Sequence, residues 1–321
     1  MNASKATVLA DKILPRKMGD IKPNQIDSFD SVRYQKTIIE YYSEAGMDYE
    51  PWSANLNMHF GYFRKGLNPF NRESLLDEMN HQICQRLGLH QDKMLNPGNK
   101  PQCVIDLGCG VGATARYCAQ HYRGVTVKGV TIVPWQVEHA NNMSKGLLDG
   151  KRLSYELADY RALPCLDESY DAAYAIESSC YDFGTDKLAF LKEAYRALKP
   201  GASLVVADGF RKTRKANVLF EFAYQKVCQG WFLDTFANID DFTQAMGAVG
   251  FKDIVVEDTS WRVAPSVLHV PWVSIKYLFT HIFSRTGNKR IQFSHFLAPM
   301  MGLFVGLQRK HYAYYIISAK K

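Results

Sequence analysis

The chain has 321 residues, of which 47% are hydrophobic and 13% aromatic, and its formal charge is +7. That describes a globular protein of one large domain, or one domain with a cap, and the absence of any segment saturated with Lys and Arg argues against a nucleic-acid partner. No run of about 18 apolar residues occurs, so no membrane span is expected, and the seven cysteines form no CxxC pair or zinc-type cluster with His, so no metal site is expected.

In chain order, residues 1–30 read as a flexible polar arm with Pro15 and Pro23. They lack a sustained apolar run, so no leader is expected, and reduced thiols in a cytoplasmic protein are the simplest account of the cysteines. A helix is predicted over 31–44, with Val32, Ile38, Ile39 and Tyr42 at near-helical spacing. An aromatic, glycine-punctuated stretch over 48–63 follows. A second helix over 72–87 carries Leu75, Leu76, Met79, Ile83 and Leu87 on one face. Together 31–100 read as a helical cap ending in a turn-rich linker at 95–101. From residue 103 the pattern becomes short apolar runs alternating with helical stretches, the signature of a doubly wound parallel α/β sheet. Seven strands are predicted near 103–107, 125–130, 153–157, 171–176, 202–208, 252–257 and 312–318. The core spans 101–321, and the long connections at 209–245 and 258–310 are expected to add cap structure.

The strongest chemical signal is Val104-Ile-Asp-Leu-Gly-Cys-Gly-Val-Gly112, an apolar strand running into three glycines with a helix after them. Such a turn either simply joins strand to helix or lets the backbone approach a ligand. A dinucleotide site would usually place an acid at the end of the next strand. Here Val125-Thr-Val-Lys-Gly-Val-Thr131 ends without a carboxylate, whereas Asp106 stands just before the glycines, where it can meet an ammonium group.

Asp106-Leu-Gly-Cys-Gly-Val-Gly112 resembles the S-adenosylmethionine (SAM) motif of class I methyltransferases. Gly129-Val-Thr-Ile-Val-Pro-Trp-Gln136 resembles an element of the sterol, tocopherol and cyclopropane-fatty-acid branch. The resemblance implies a seven-stranded Rossmann-like sheet and SAM as cofactor. It implies contacts from Asp106, Gly108, Gly110 and Gly112, from Thr131 and Gln136 toward the ribose or methionine end, and from Asp159 to the adenine amino group, with Tyr160 and Glu177 nearby. The stretches 156–160, 171–181 and 191–201 extend the match. Upstream, Tyr41-Tyr42 and Asn57-Met-His-Phe-Gly-Tyr-Phe63 resemble elements that cover the active site in sterol-type enzymes, and 261–310 resembles the tail of the tocopherol enzymes. Ser-Ser-Cys-Tyr after Glu177 departs from the sterol pattern.

The resemblance implies C-methylation of an isoprenoid double bond, with a prenyl diphosphate such as farnesyl diphosphate as acceptor and cation-driven cyclisation as a sequel. Methyl transfer from a sulfonium needs alignment and exclusion of water rather than a metal, and alkene attack leaves a cation that aromatic faces stabilise and a base quenches. Tyr41, Tyr42, Trp52, His59, Phe60, Tyr62, Tyr181, Trp231 and Trp261 are the expected pocket aromatics, with Glu177 and His59 as bases; core packing is the alternative for many of them. Glu177 ends an apolar strand on the side where open sheets place their sites.

Arg211-Lys-Thr-Arg-Lys215 reads as a solvated loop or as an anion clamp in which Arg214 and Lys215 act with Arg33 or Lys36; Mg2+ enters only with a diphosphate. The apolar tail 270–307 suits a lid first, a peripheral membrane contact second and a homo-oligomer face third. Competing readings are a sterol or prenylquinone acceptor, small-molecule N-methylation, cyclopropane formation, RNA methylation and a SAM-binding regulatory subunit.

Overall fold

A computed structural model describes residues 28–45, 51–89, 102–147, 152–282 and 289–321. The expectations for the arm as far as residue 27 and for the 95–101 linker lie outside the described residues. The first helix is longer than its apolar spacing suggested. α1 spans Ser28–Ala45, so the boundary of the expected arm falls inside a helix. α2 (Arg72–Arg86) starts where Asn71 Oδ1 accepts a hydrogen bond from Ser74 N, a side-chain cap for an otherwise orphan donor.

The sheet is built from β1 (Gln102–Leu107), β2 (Val125–Thr131), β3 (Leu153–Leu157), β4 (Tyr170–Ile176), β5 (Leu198–Arg211), β6 (Ala237–Asn238), β7 (Lys252–Asp258) and β8 (Tyr312–Lys320). Its order is β3-β2-β1-β4-β5-β8-β7, with the two-residue β6 paired to the end of β5. β8 runs antiparallel between β5 and β7, and the remaining pairs are parallel. All seven expected strands are present; β6 and the extension of β5 to 14 residues are additions. β5 outgrows its expected 202–208 because β8 pairs it from Ser203 to Arg211.

Period-two alternation assigns the two faces. Ile105, Leu107, Ala173 and Ala175 pack with Phe190, Leu191, Phe242 and Met246 of α5 (Leu188–Ala197) and α7 (Ile239–Val249). Val104, Ala172 and Tyr174 face the other way, onto Met79 and Ile83 of α2 and onto Ala115 and Cys118 of α3 (Ala113–His121). Each fully buried Leu, Ile or Phe on these faces contributes about 1.5–3 kcal/mol, and together they make the strand ends a rigid platform. α4 (Pro134–Ser144) follows β2. The two long connections hold α6 (Val218–Gly230), then α8 (Ser260–Val267), α9 (Val270–Ile282) and α10 (Lys289–Leu307), with α10 packed on α6. The strand order reverses at β1, beside β4. That is the switch point where open sheets form a crevice.

Candidate active site

A cleft of about 900 Å³, counted to its open mouth, lies over the carboxyl ends of β1, β2 and β4. On one side it is lined by Asp106, Gly108, Gly110, Thr131, Gln136, Asp159 and Tyr160, and on the other by Ile38, Tyr42, Leu56, Ile176, Glu177 and Tyr181.

The first side collects polar groups from three neighbouring strand ends. Asp106 is buried and accepts a hydrogen bond from Tyr174 Oη at 2.9 Å. Burial pushes its carboxyl up to about 7, and the Tyr174 bond pulls the other way. The loop beyond it turns through left-handed conformations at Gly108 (φ +88°) and Gly112 (φ +75°). A Cβ on Gly108 would sit 2.5 Å from Ser178 Cβ, and one on Gly112 would collide with the Tyr155 ring. These two glycines are therefore demanded by the protein's own neighbours. Gly110, also left-handed at φ +53°, faces Met58, whose Sδ would lie only 3.1 Å from a Cβ there.

At the end of β2, Thr131 Oγ1 donates to Gln136 Oε1 at 2.6 Å and accepts from Val133 N. The Thr–Gln pair is thus one unit, with each side chain fixing the other. After β3, Asp159 is held by Arg161, which reaches both carboxylate oxygens, and by Gln35 of α1, whose Nε2 donates to Oδ2 at 2.5 Å. Tyr160 Oη donates to Ser178 O. A buried carboxylate, a glycine-rich backbone turn and a second carboxylate two strands away, with strands about 4.8 Å apart, suit a ligand with an ammonium at one end and an amino-bearing ring at the other. These residues fit SAM.

The second side is apolar apart from Glu177 and two tyrosines. Glu177 follows β4 with φ +48°, a conformation unusual for a residue with a side chain. Its Oε1 accepts from Phe60 N at 2.7 Å and from Tyr314 Oη at 2.9 Å. Burial, reinforced by Asp208 nearby, pushes the carboxyl up to about 8 against those two donors. With both bonds on Oε1, Oε2 is the oxygen left to meet a ligand. Tyr42 and Tyr181 join their hydroxyls at 2.8 Å, with ring centroids 6.0 Å apart.

Several expected site residues stand elsewhere. His59 borders the cleft, but Nδ1 faces Phe60 O at 2.9 Å and Nε2 faces Asn80 Oδ1 at 3.1 Å, so neither nitrogen is free to act as a base. Burial holds its pKa below the usual histidine value. Tyr62 is buried in the core between sheet and α2. Trp52 packs under the cleft segment against Leu76, with its ring edge-on to Phe60. Trp231 packs against Gly302, and Trp261 is 76% exposed beside Arg309. Tyr41 backs Tyr42 and leans on Phe232.

The anion clamp is also not assembled. Arg211 is paired with Glu221 and lies over Tyr224; Arg214 donates to Asp241 at 2.5 Å; Lys36 pairs with Glu40 on its own helix. Lys215 and Arg33 have exposed side chains and do not line the cleft. The cation that does line it is Arg161, which sequence reasoning missed together with Gln35, Met58 and Ser178. Its one signal was position, two residues beyond the expected ligand acid.

A methyltransferase-domain family model matches residues 104–201. The chain is 30% identical over 245 residues to the 2-methyl-6-phytyl-1,4-hydroquinone methyltransferase of Synechocystis sp., covering 74% of this chain and 69% of the relative. It is 27% identical to the chloroplastic tocopherol O-methyltransferase of Arabidopsis thaliana over 72% of this chain and 67% of that one. A solved geranyl diphosphate methyltransferase has the same fold, with a TM-score of 0.67 at 16% identity over 90% of this chain and 99% of the other. With the glycine turn, the Thr–Gln pair and the two acids in place, the chain belongs to the class I SAM-dependent methyltransferases, in the branch of the tocopherol and prenylquinone enzymes.

Proposed function

We propose that the protein methylates a carbon of an isoprenoid-bearing small molecule, with Glu177 as the base that takes the displaced proton. Glu177 carries this reading: a carboxyl of raised pKa at the end of β4, on the otherwise apolar side of the cleft. SAM, when bound, supplies an electrophilic methyl group on a sulfonium. The chain's own residues do the rest. Asp106 and Asp159 set the direction of the cofactor, and the apolar wall of Ile38, Leu56 and Ile176 excludes water from the acceptor's side.

Attack by an arene or alkene carbon passes through a cation that must lose a proton. Tyr42 and Tyr181 present aromatic faces to that charge. Phe60 N and Tyr314 Oη hold Glu177 still while Oε2 receives the proton. Near neutral pH the ligand-free carboxyl is mostly protonated, and a cationic ligand beside it favours the ionised form.

The geometry favours a neutral prenylated ring, such as a prenylhydroquinone, over the prenyl diphosphate expected from sequence. Of the basic residues 211–215, Arg211 is paired with Glu221, Arg214 with Asp241 and Lys212 lies 3.8 Å from Asp258, while Lys215 is exposed and does not line the cleft; the cleft carboxylates Asp106, Asp159 and Glu177 are each bonded to protein donors. The geranyl diphosphate enzymes that share the fold keep farnesyl diphosphate, with or without cyclisation, as the second reading.

The test is incubation of the protein and SAM with a prenylated hydroquinone, farnesyl diphosphate, a sterol and a secondary amine in parallel. Product mass and NMR then locate any added methyl on carbon, oxygen or nitrogen. A methyl on ring carbon of the hydroquinone is expected; turnover of the amine alone overturns the reading.

A further inference from the structure

Helices α8 and α9 follow one another with only Leu268 and His269 between them, and helical hydrogen bonds bridge the junction at Leu268 N to Ala264 O and Val273 N to His269 O. Along this pair Trp261, Leu268, Trp272 and Ile275 are exposed, two of them tryptophans at 76% and 69%. Their spacing of seven, four and three residues places them on one helical face. The loop before α2 lies alongside, since His269 Nε2 donates to Pro69 O and Phe63 N donates to Arg262 O. That loop presents Phe70, 86% exposed. Scattered apolar residues on a surface need no account, but four large ones on one helical face with a fifth in the adjoining loop do.

Charge is distributed just as unevenly. From Thr259 to Lys321 the chain has nine Lys and Arg and no Asp or Glu, an excess larger than the +7 of the whole chain. Arg262 and Lys276 are exposed on the same two helices as the apolar stripe, and Lys65 is exposed in the adjoining loop. Tryptophans flanked by cations, on two helices that carry no acid and with the nearby Asp258 neutralised by Arg309, match the interface of an anionic bilayer. There the rings settle at headgroup depth, and each nearby Lys or Arg strengthens binding about five-fold.

We propose that Trp261, Leu268, Trp272 and Ile275, with Phe70 beside them, dock the protein on an anionic lipid surface. The same helices back onto the cleft. Ser266 Oγ accepts from Gly61 N at 2.8 Å, and the neighbouring Phe60 N holds Glu177. Docking therefore sets the segment that anchors the base against the membrane. This deepens the reading of an isoprenoid acceptor, which would be dissolved in that membrane, but the surface is argued without it.

The experiment is co-sedimentation of the full chain with phosphatidylcholine vesicles containing roughly one-third phosphatidylglycerol, and with pure phosphatidylcholine vesicles, in the absence of acceptor. Binding to the anionic vesicles at least ten-fold tighter than to neutral ones, and weakened by high salt, is expected. Leu268→Gln/Trp272→Gln should lose at least ten-fold in vesicle binding while keeping SAM affinity and melting temperature, which shows that it folds. Equal binding by this variant, equal binding to both vesicle types, or no binding overturns the proposal. So does a concentration-dependent dimer that the variant abolishes without vesicle capture, since the stripe would then join two copies. Failure of the parent protein to bind vesicles, with methylation of a detergent-dispersed acceptor intact, would sink this inference alone. Vesicle binding without methylation of any isoprenoid would sink only the acceptor reading.

Discussion

Replacing Gly108 with alanine tests the cofactor turn where its geometry is most demanding. Gly108 has φ +88°, which costs an L-residue about 1–2 kcal/mol. The new Cβ would also sit 2.5 Å from Ser178 Cβ and 2.9 Å from its Oγ, and relieving such a contact costs about 1–3 kcal/mol. Ser178 has little freedom to yield, because its Oγ donates to Leu107 O at 2.5 Å and its carbonyl accepts from Tyr160 Oη. The two costs together come to about 2–5 kcal/mol, so SAM affinity should fall at least about 30-fold if the loss is expressed in the binding-competent turn. Calorimetric titration of SAM measures the affinity, and urea unfolding separates it from global stability. Gly108→Ala/Ser178→Gly removes the collision but leaves the backbone cost. It should recover at least about five-fold in affinity relative to Gly108→Ala, with Ser178→Gly as the control. A Gly108→Ala protein that binds SAM within three-fold of the parent, or a double variant no better than the single, would refute the reasoning.

Glu177→Gln should lower turnover by about 10²–10⁴. With the carboxyl at about 8 in the ligand-free protein, the rate of the parent should rise with pH as the base ionises, and that limb should vanish in the variant. The sign is opposite for stability. A carboxyl raised from 4.5 to about 8 keeps its proton in the fold, so stability is lost as pH rises through that window, and thermal melts of Glu177→Gln should lack that loss. SAM affinity should increase between pH 6 and 8 as Asp106 ionises near 7; Tyr174→Phe, which removes the bond favouring the charged form, should move that midpoint upward in calorimetric titrations. Gln35→Ala frees Asp159 of one competing donor and should tighten SAM binding by about two- to five-fold, consistent with a net hydrogen bond of about 0.5–1 kcal/mol. Unchanged affinity would show that Asp159 and its ligand do not compete.

Most of the sheet was legible because its signals are local. The strand from Val104 enters the glycines directly, and the bond between Thr131 and Gln136 spans only five residues. The failures are tertiary. Arg214, in the loop after β5, looked available because Asp241, its partner, is 27 residues away on helix α7. Trp231 and Trp261 resembled pocket aromatics by type, yet which side of a helix meets the cleft depends on how α6, α8 and α10 pack, and spacing alone does not report that. His59 was read as a base from its neighbourhood, while the carbonyls that occupy both its nitrogens belong to Phe60 and to Asn80 on α2. The place of Glu177 at the cleft was legible on a simpler argument: a carboxyl at the end of an apolar strand beside the switch point needs a partner, and Phe60 N and Tyr314 Oη are those partners.

One helix bears on how the two ligands are handled in time. Gln35, Ile38 and Tyr42 sit three and four residues apart on α1, so the same rod touches Asp159 at one point and the apolar wall of the cleft further along. Two helical turns, about 10 Å, separate those contacts. A ligand that takes Asp159 from Gln35 thereby releases one end of a lever whose other end is tied to Tyr181 through Tyr42. With Asp159 meeting the cofactor as proposed, cofactor arrival and acceptor access should be linked, and ordered addition with the spent cofactor leaving last is the kinetic signature that checks it.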